Sequence, residues 1–235
     1  HWKNLRMNNK DLKILSEGLI DTFKKAGDES IKVEKQGVKI KTKEDGSPVT
    51  NGDLIVNTII TEKIAKLTPD IPIISEETVD LKKENTLNTF WLIDPIDGTK
   101  EYIAGKDEYT LNAGLIINNY PAVGVIGVPK KNEIFYSFGK NNSFLIKNKE
   151  IIKLDCKKKT PKEEIIGLTN HAEPPELILN KLQEFGVTSF RKLSSSYKYC
   201  VIATGEYDLY VDKVRAKEWD DAAGHAIAES AGAIV

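Results

Sequence analysis

Cysteine occurs only twice in the 235 residues, at Cys156 and Cys200, too few and too far apart for a disulfide framework. A reducing cytoplasm is therefore the expected setting. No apolar run approaches the ~20 residues needed to cross a bilayer, so stable membrane insertion is not expected, and peripheral association with an inner membrane is left open. The N-terminal stretch lacks the apolar core of a secretory signal. Neither sign of charge is in excess, since 34 Lys and Arg face 35 Asp and Glu. A chain so balanced has no global field to gather a nucleic-acid polymer, and none is expected as a partner. Internal repeats and low-complexity segments are absent too. What is present is 40% apolar residues over a length ample for a real hydrophobic core.

Residues Asp11 to Ala26 carry Leu12, Leu15, Leu19, Ile20 and Phe23, the stripe of an amphipathic helix. Val38, Ile40 and Thr42 alternate with lysines as a half-buried strand does. A second helix is predicted over Asp53 to Leu67, with Ile55, Ile59, Ile60 and Ile64 on its apolar side, and a short strand over Ile71 to Ser75. Strands are expected at Thr110–Ile117, Ala122–Val128, Glu133–Phe138 and Ser143–Ile146, and their turn residues suit consecutive antiparallel pairing. Beyond the polar stretch Asp155 to Glu164, with Lys157-Lys158-Lys159 read as solvated loop, the elements alternate in type. Strands Ile165–Thr169, Val187–Phe190 and Tyr207–Val211 interleave with helices Pro175–Phe185, Ser195–Thr204 and Asp221–Ala231. Such alternation belongs to α/β architecture. Two parts of one compact catalytic unit are thus expected: an α+β subdomain over 1–154 and a smaller α/β subdomain over 155–235.

The chemistry concentrates where elements end. Phe90 to Ile93 read as a buried strand halted by Pro95, so that Asp94 and Asp97 meet in one tight turn. Their mutual repulsion suits a hard divalent cation, which takes oxygen ligands and shares them with phosphates. Gly98 allows close backbone approach, and the amides of Gly98 and Thr99 can face an anion. Glu76-Glu77 follows the strand ending at Ser75, and Asp220 opens the last helix. Lys43 to Asp53 forms a loop in which Asp45 can act as a base. Each piece also has a plainer reading: an Asp-Pro-Gly turn, exposed glutamates, a helix cap at Asp220, an Asp-Gly turn at Asp45, a first-turn residue at Asp53. Their coincidence is what carries information.

Four segments together resemble the inositol monophosphatase superfamily of Mg²⁺-dependent, lithium-sensitive phosphatases. They are Ser75-Glu76-Glu77, Asp94-Pro95-Ile96-Asp97-Gly98-Thr99, Trp219-Asp220-Asp221-Ala222-Ala223 and Glu229-Ser230-Ala231-Gly232-Ala233, in the family's order. Three further stretches are similar to the 3'(2'),5'-bisphosphate nucleotidase branch: Lys43-Glu44-Asp45-Gly46-Ser47-Pro48-Val49-Thr50, Asp97-Gly98-Thr99-Lys100-Glu101-Tyr102 and Ser195-Ser196-Tyr197-Lys198-Tyr199-Cys200. The resemblance implies a layered αβαβα sandwich, α+β then α/β, whose N-terminal half is an antiparallel sheet with helices.

It also implies two or three Mg²⁺ ions held by Glu76, Asp94, the carbonyl of Ile96, Asp97 and Asp220. Asp45 and Thr99 are then expected to position and deprotonate a metal-activated water, with Asp53 in support. The Gly98 and Thr99 amides are expected to hold a phosphate oxygen, Ser195 and Lys198 a second phosphate, and His171 to lie near an adenine. The implied reaction removes the 3'-phosphate of 3'-phosphoadenosine 5'-phosphate, in nucleotide recycling linked to sulfate assimilation. The same chemistry on inositol monophosphate or another sugar phosphate is the alternative, and a catalytically inactive nucleotide- or metal-binding protein is the alternative of another class. Oligomeric state is not readable. Two departures stand out. Asp212 occupies the position where the branch has an arginine for the second phosphate, leaving Lys213 or Arg215 as substitutes. The chain also stops at Val235, where the family continues through another strand, so an incomplete C-terminus is expected.

Overall fold

The structure, a computed structural model, describes residues 7–79, 86–158, 164–213 and 216–235. Two helices open the chain, α1 (Asn9–Gly18) and α2 (Ile20–Gln36), divided at Leu19. The single helix expected over Asp11 to Ala26 is thus two, and the second runs ten residues further. Gly27 hid that continuation, because an interior glycine reads as a helix breaker; here it lets Pro129 approach to contact distance. A small hairpin follows, β1 (Ile40–Thr42) with β2 (Pro48–Thr50), leading into α3 (Asn51–Leu67).

Among the described residues the main sheet has seven strands in sequence order: β3 (Ile73–Ser75), β4 (Thr89–Asp97), β5 (Thr110–Ile117), β6 (Tyr120–Val128), β7 (Glu133–Phe138), β8 (Ser143–Lys147) and β9 (Glu150–Lys153). Only the β3–β4 pair is parallel; the rest form a meander. Alternation along β4 divides the core. Trp91 and Ile93 join Leu12 and Phe23 of the first two helices, Leu19 between them, and Val56, Ile60 and Ile64 of α3, whereas Phe90 and Leu92 face the other way, against Trp219 and Ala222. The strand β9 was not foreseen, since its residues are exposed and show no alternation of burial.

Beyond a short helix α4 (Thr99–Ile103) after β4, the remaining elements are β10 (Ile165–Thr169), α5 (Glu176–Glu184), β11 (Val187–Lys192), α6 (Tyr197–Ala203), β12 (Leu209–Tyr210) and α7 (Glu218–Ser230). The three strands make a parallel sheet in the order β11-β10-β12, as α/β alternation requires. Helices α6 and α7 fill the layer between the sheets: Ala223 and Ile227 of α7 and Cys200 and Val201 of α6 share a core with Ile126 and Phe135 of the large sheet and Leu168 of the small one. The layered α+β sandwich is therefore observed. The close seating of α7 depends on two glycines. A Cβ on Gly124 would lie 2.3 Å from the Ala223 carbonyl oxygen, and one on Gly114 would lie 2.9 Å from the Ala222 Cβ. No described helix is long and apolar enough to cross a membrane.

Candidate active site

Strand β4 does not stop at Pro95; it continues to Asp97 through an irregularity in its pairing with β5. Asp94 faces Asn112 and Asp97 faces Thr110, so three steps on one strand match two on the other. On a regular strand, residues three apart point to opposite faces. The extra residue cancels that alternation and brings both carboxylates to one side. Asp220, in the first turn of α7, supplies a third: carboxylate oxygens of Asp94, Asp97 and Asp220 all lie within 4.8 Å of one another. Asp220 is also the cap it was weighed against, its Oδ2 accepting from the Lys217 amide at 2.8 Å.

Burial makes this cluster electrostatically costly. Asp94 is 2% exposed, and among the described residues its Oδ1 has no hydrogen-bond partner. Desolvation, then the charges of Asp97, Glu76 and Asp220, push its pKa well above the ordinary carboxylate value. Desolvation likewise raises Asp97 to about 6, against the opposing pull of the Lys198 ammonium. Asp220 is raised for the same first reason. An orphaned, buried carboxylate oxygen among three acids fits a hard divalent cation, which would supply the missing positive charge through oxygen ligands alone.

Glu76 sits where β3 ends, its amide bonded to the Ile93 carbonyl at 3.0 Å, and its charge reaches Asp94. It is outside the three-carboxylate set, however. Lys43, from the β1–β2 turn, holds Glu76 Oε1 at 2.8 Å and Glu77 Oε1 at 3.0 Å. Ile96 is buried, and its carbonyl oxygen lies 3.2 Å from the Thr99 hydroxyl. Gly98 adopts φ 88°, ψ 44° at the start of α4, a left-handed conformation suited to glycine, and the Ser195 Cβ lies 3.5 Å from where a side chain would begin.

Of the two aspartates in the segment from the β1–β2 turn to α3, it is Asp53 and not Asp45 that lies beside Thr99. The Thr99 hydroxyl is 3.3 Å from Asp53 Oδ1. Asp45 is exposed and folded back on Ser47, whose amide and hydroxyl donate to its Oδ1 at 2.9 and 2.6 Å and hold its pKa below the usual range. Asp53 is 1% exposed, fixed by the Thr50 amide at 2.7 Å and by the Thr50 hydroxyl, and burial raises its pKa. A signal for Asp53 was available. It precedes Val56, Ile60 and Ile64 at helical spacing, and those three are fully buried while Ile55 is exposed. Of the apolar side expected for α3, Ile60 and Ile64 are buried and Ile59 packs against the core, while Val56 takes the place expected of Ile55.

The segment before α6 also differs from expectation. The Ser195 hydroxyl donates to the Glu108 carbonyl and is spent inside the fold. Its neighbour Ser196, which no sequence argument had selected, donates to Asp97 from both its amide (2.5 Å) and its hydroxyl (2.6 Å). Lys198 is 3% exposed, with its Nζ 5.0 Å from the Tyr210 ring centroid and 5.5 Å from that of Tyr199. His171 pairs through Nε2 with Asp212 Oδ1 at 3.0 Å. Arg215 lies outside the described residues.

The family model described as the inositol monophosphatase family matches residues 11–235. The chain belongs to that family. Within it the likeness runs to bisphosphate nucleotidases. The chain is 34% identical over 197 residues to the 3'(2'),5'-bisphosphate nucleotidase CysQ of Escherichia coli O6:H1, covering 83% of this chain and 78% of that one. The crystal structure of CysQ from Bacteroides thetaiotaomicron superposes with a TM-score of 0.71 at 27% identity, covering 97% of this chain and 89% of that one. An IMPase/NADP phosphatase complexed with Mg²⁺ and phosphate shares the fold at a TM-score of 0.76 and 20% identity, over 94% and 82% of the two chains. In an inositol monophosphatase fold the converging carboxylates of β4 and α7 are thus the candidate active site.

Proposed function

We propose that this protein is a Mg²⁺-dependent phosphomonoesterase that hydrolyses the 3'-phosphate of 3'-phosphoadenosine 5'-phosphate to AMP and phosphate. The observation that carries this reading is the convergence of Asp94, which is buried, with the part-buried Asp97 and Asp220, mutually repelling around an orphaned oxygen. Likeness to the CysQ nucleotidases supports the substrate, and the lone pair of cysteines fits a cytoplasmic setting. Asp94, Asp97 and Asp220 would hold the Mg²⁺ ions, with Glu76 and the Ile96 carbonyl completing the oxygen set. Bound there, such ions polarise a phosphoryl oxygen and make water acidic enough to attack.

The chain's own part is proton transfer and orientation. Thr99, within reach of Asp53 Oδ1, accepts a proton from the attacking water on its hydroxyl oxygen as it passes its own proton to Asp53. The raised pKa of Asp53 makes it a stronger base than an ordinary aspartate. The amides of Gly98 and Thr99 face the phosphate, and Lys198 adds a fixed positive charge behind Asp97.

One observation favours hydrolysis of a sugar monophosphate instead. Asp212, a nearly buried carboxylate bonded to His171, is a poor neighbour for a second phosphate. Phosphate release from the adenosine bisphosphate and from inositol monophosphate, each with Mg²⁺ and with EDTA, separates the readings. Brisk, EDTA-sensitive release from the bisphosphate is expected; negligible release from it beside brisk release from inositol monophosphate would reject the first.

A further inference from the structure

Three consecutive serines lie between β11 and α6, and each fastens a different part of the fold. Ser194 donates to Glu101 Oε1 at 2.8 Å, and Ser195 to the Glu108 carbonyl. Ser196 alone touches the acidic centre. Its amide and hydroxyl both reach Asp97 Oδ2, and the hydroxyl oxygen is also 2.7 Å from the Asp220 carbonyl oxygen. It is wholly buried. Asp97 ends β4, Asp220 opens α7 and Ser196 precedes α6, so one residue joins three elements within hydrogen-bond distance.

We propose that Ser196 is a positioning residue for the cation centre, fixing Asp97 so that Oδ1 faces the ion and holding the first turn of α7 at the matching distance. Donors to a carboxylate are about twice as strong as neutral ones and are directional. With two of them on Oδ2, rotation of the Asp97 side chain is blocked and the other oxygen is presented in one orientation. The hydroxyl has one proton for two acceptors, Asp97 and the Asp220 carbonyl, and that shared demand ties the two segments to each other. The inference rests on the reading of this cluster as a cation site, and its deciding readout, metal binding, needs no substrate.

The experiment titrates Mn²⁺ alone into wild type, Ser196→Ala and Ser194→Ala, with free ion followed by electron paramagnetic resonance. Ser194→Ala breaks the same serine clamp without touching a carboxylate of the centre. Loss of one hydrogen bond to a charged group predicts roughly tenfold weaker Mn²⁺ binding in Ser196→Ala, with Ser194→Ala at the wild-type affinity. The Mg²⁺ concentration for half-maximal turnover should rise by the same factor, with kcat at saturating Mg²⁺ within about twofold. Wild-type Mn²⁺ affinity in a folded Ser196→Ala overturns the proposal, and so does equal weakening in both variants. Should Ser196→Ala not fold, Ser196→Cys keeps the volume with a weaker donor and is read by the same criteria. Wild type that binds Mn²⁺ yet releases no phosphate from either substrate would count against the proposed reaction and leave Ser196 to be judged by its own titration.

Discussion

At the scale of single residues, the distinction between Asp45 and Asp53 carries the most consequence. Both stand in one loop-to-helix segment, and burial and hydrogen bonds tell them apart: Asp53 is buried and meets Thr99, whereas Asp45 is exposed and meets Ser47. Asp53→Asn should therefore lower kcat by about 10²–10⁴-fold, the usual worth of a positioned general base, and Asp45→Asn should cost far less; steady-state assays at saturating Mg²⁺ decide this, and equal losses would contradict the pairing. Asp94→Asn should abolish turnover, because a neutral amide is a poor replacement beside cations, and residual activity above a few per cent would remove Asp94 from the centre. The helical spacing of Asp53, Val56, Ile60 and Ile64 carries the burial of Asp53 in the sequence, whereas its place beside Thr99 is set by the fold. Ser196 was not legible. Three identical residues in a row differ only in where the fold points them, and composition is silent on direction.

Among elements, strands and helices are legible where apolar runs are bounded by turn residues. The meander from β5 to β8 could be read because apolar runs of strand length, buried on both faces in β5 and β7, are set apart by turn residues. The failures have local causes: a glycine inside α2, a wholly exposed β9, and a bulge that carries β4 past a proline. Pairing irregularities depend on the neighbouring strand, so no single segment encodes them. Seating of α7 yields a prediction of its own. Gly124→Ala places a methyl group against the Ala223 carbonyl and must push the helix outward. A loss of about 1–3 kcal/mol is expected, as for overpacking elsewhere, together with a higher Mg²⁺ concentration for half-maximal turnover because Asp220 moves with the helix. A urea midpoint unchanged from wild type would show that α7 is not held as closely as described.

For the molecule as a whole, the acidic centre should couple stability to pH and to metal. A carboxyl group whose pKa is raised by folding favours the fold fully below its unfolded value, 3.8 for aspartate, and loses that contribution as pH rises through the folded value, about 6 for Asp97. Asp94 and Asp220 shift in the same direction. Metal-free protein should therefore melt at a lower temperature at pH 7.5 than at pH 5.5. Mg²⁺ should raise the melting temperature by several degrees at pH 7.5 and by much less at pH 5.5, where protons compete for the same oxygens. Thermal melts in EDTA and in excess Mg²⁺ check both, and a metal effect independent of pH would mean the ion binds elsewhere. Asp97 and Asp220, finally, are separated by about half the sequence. A polypeptide leaving the ribosome therefore presents its first acids long before their partner in α7 exists. The nascent chain cannot sequester a divalent ion there until synthesis has passed that helix, and contacts between such remote segments are the slow ones to form.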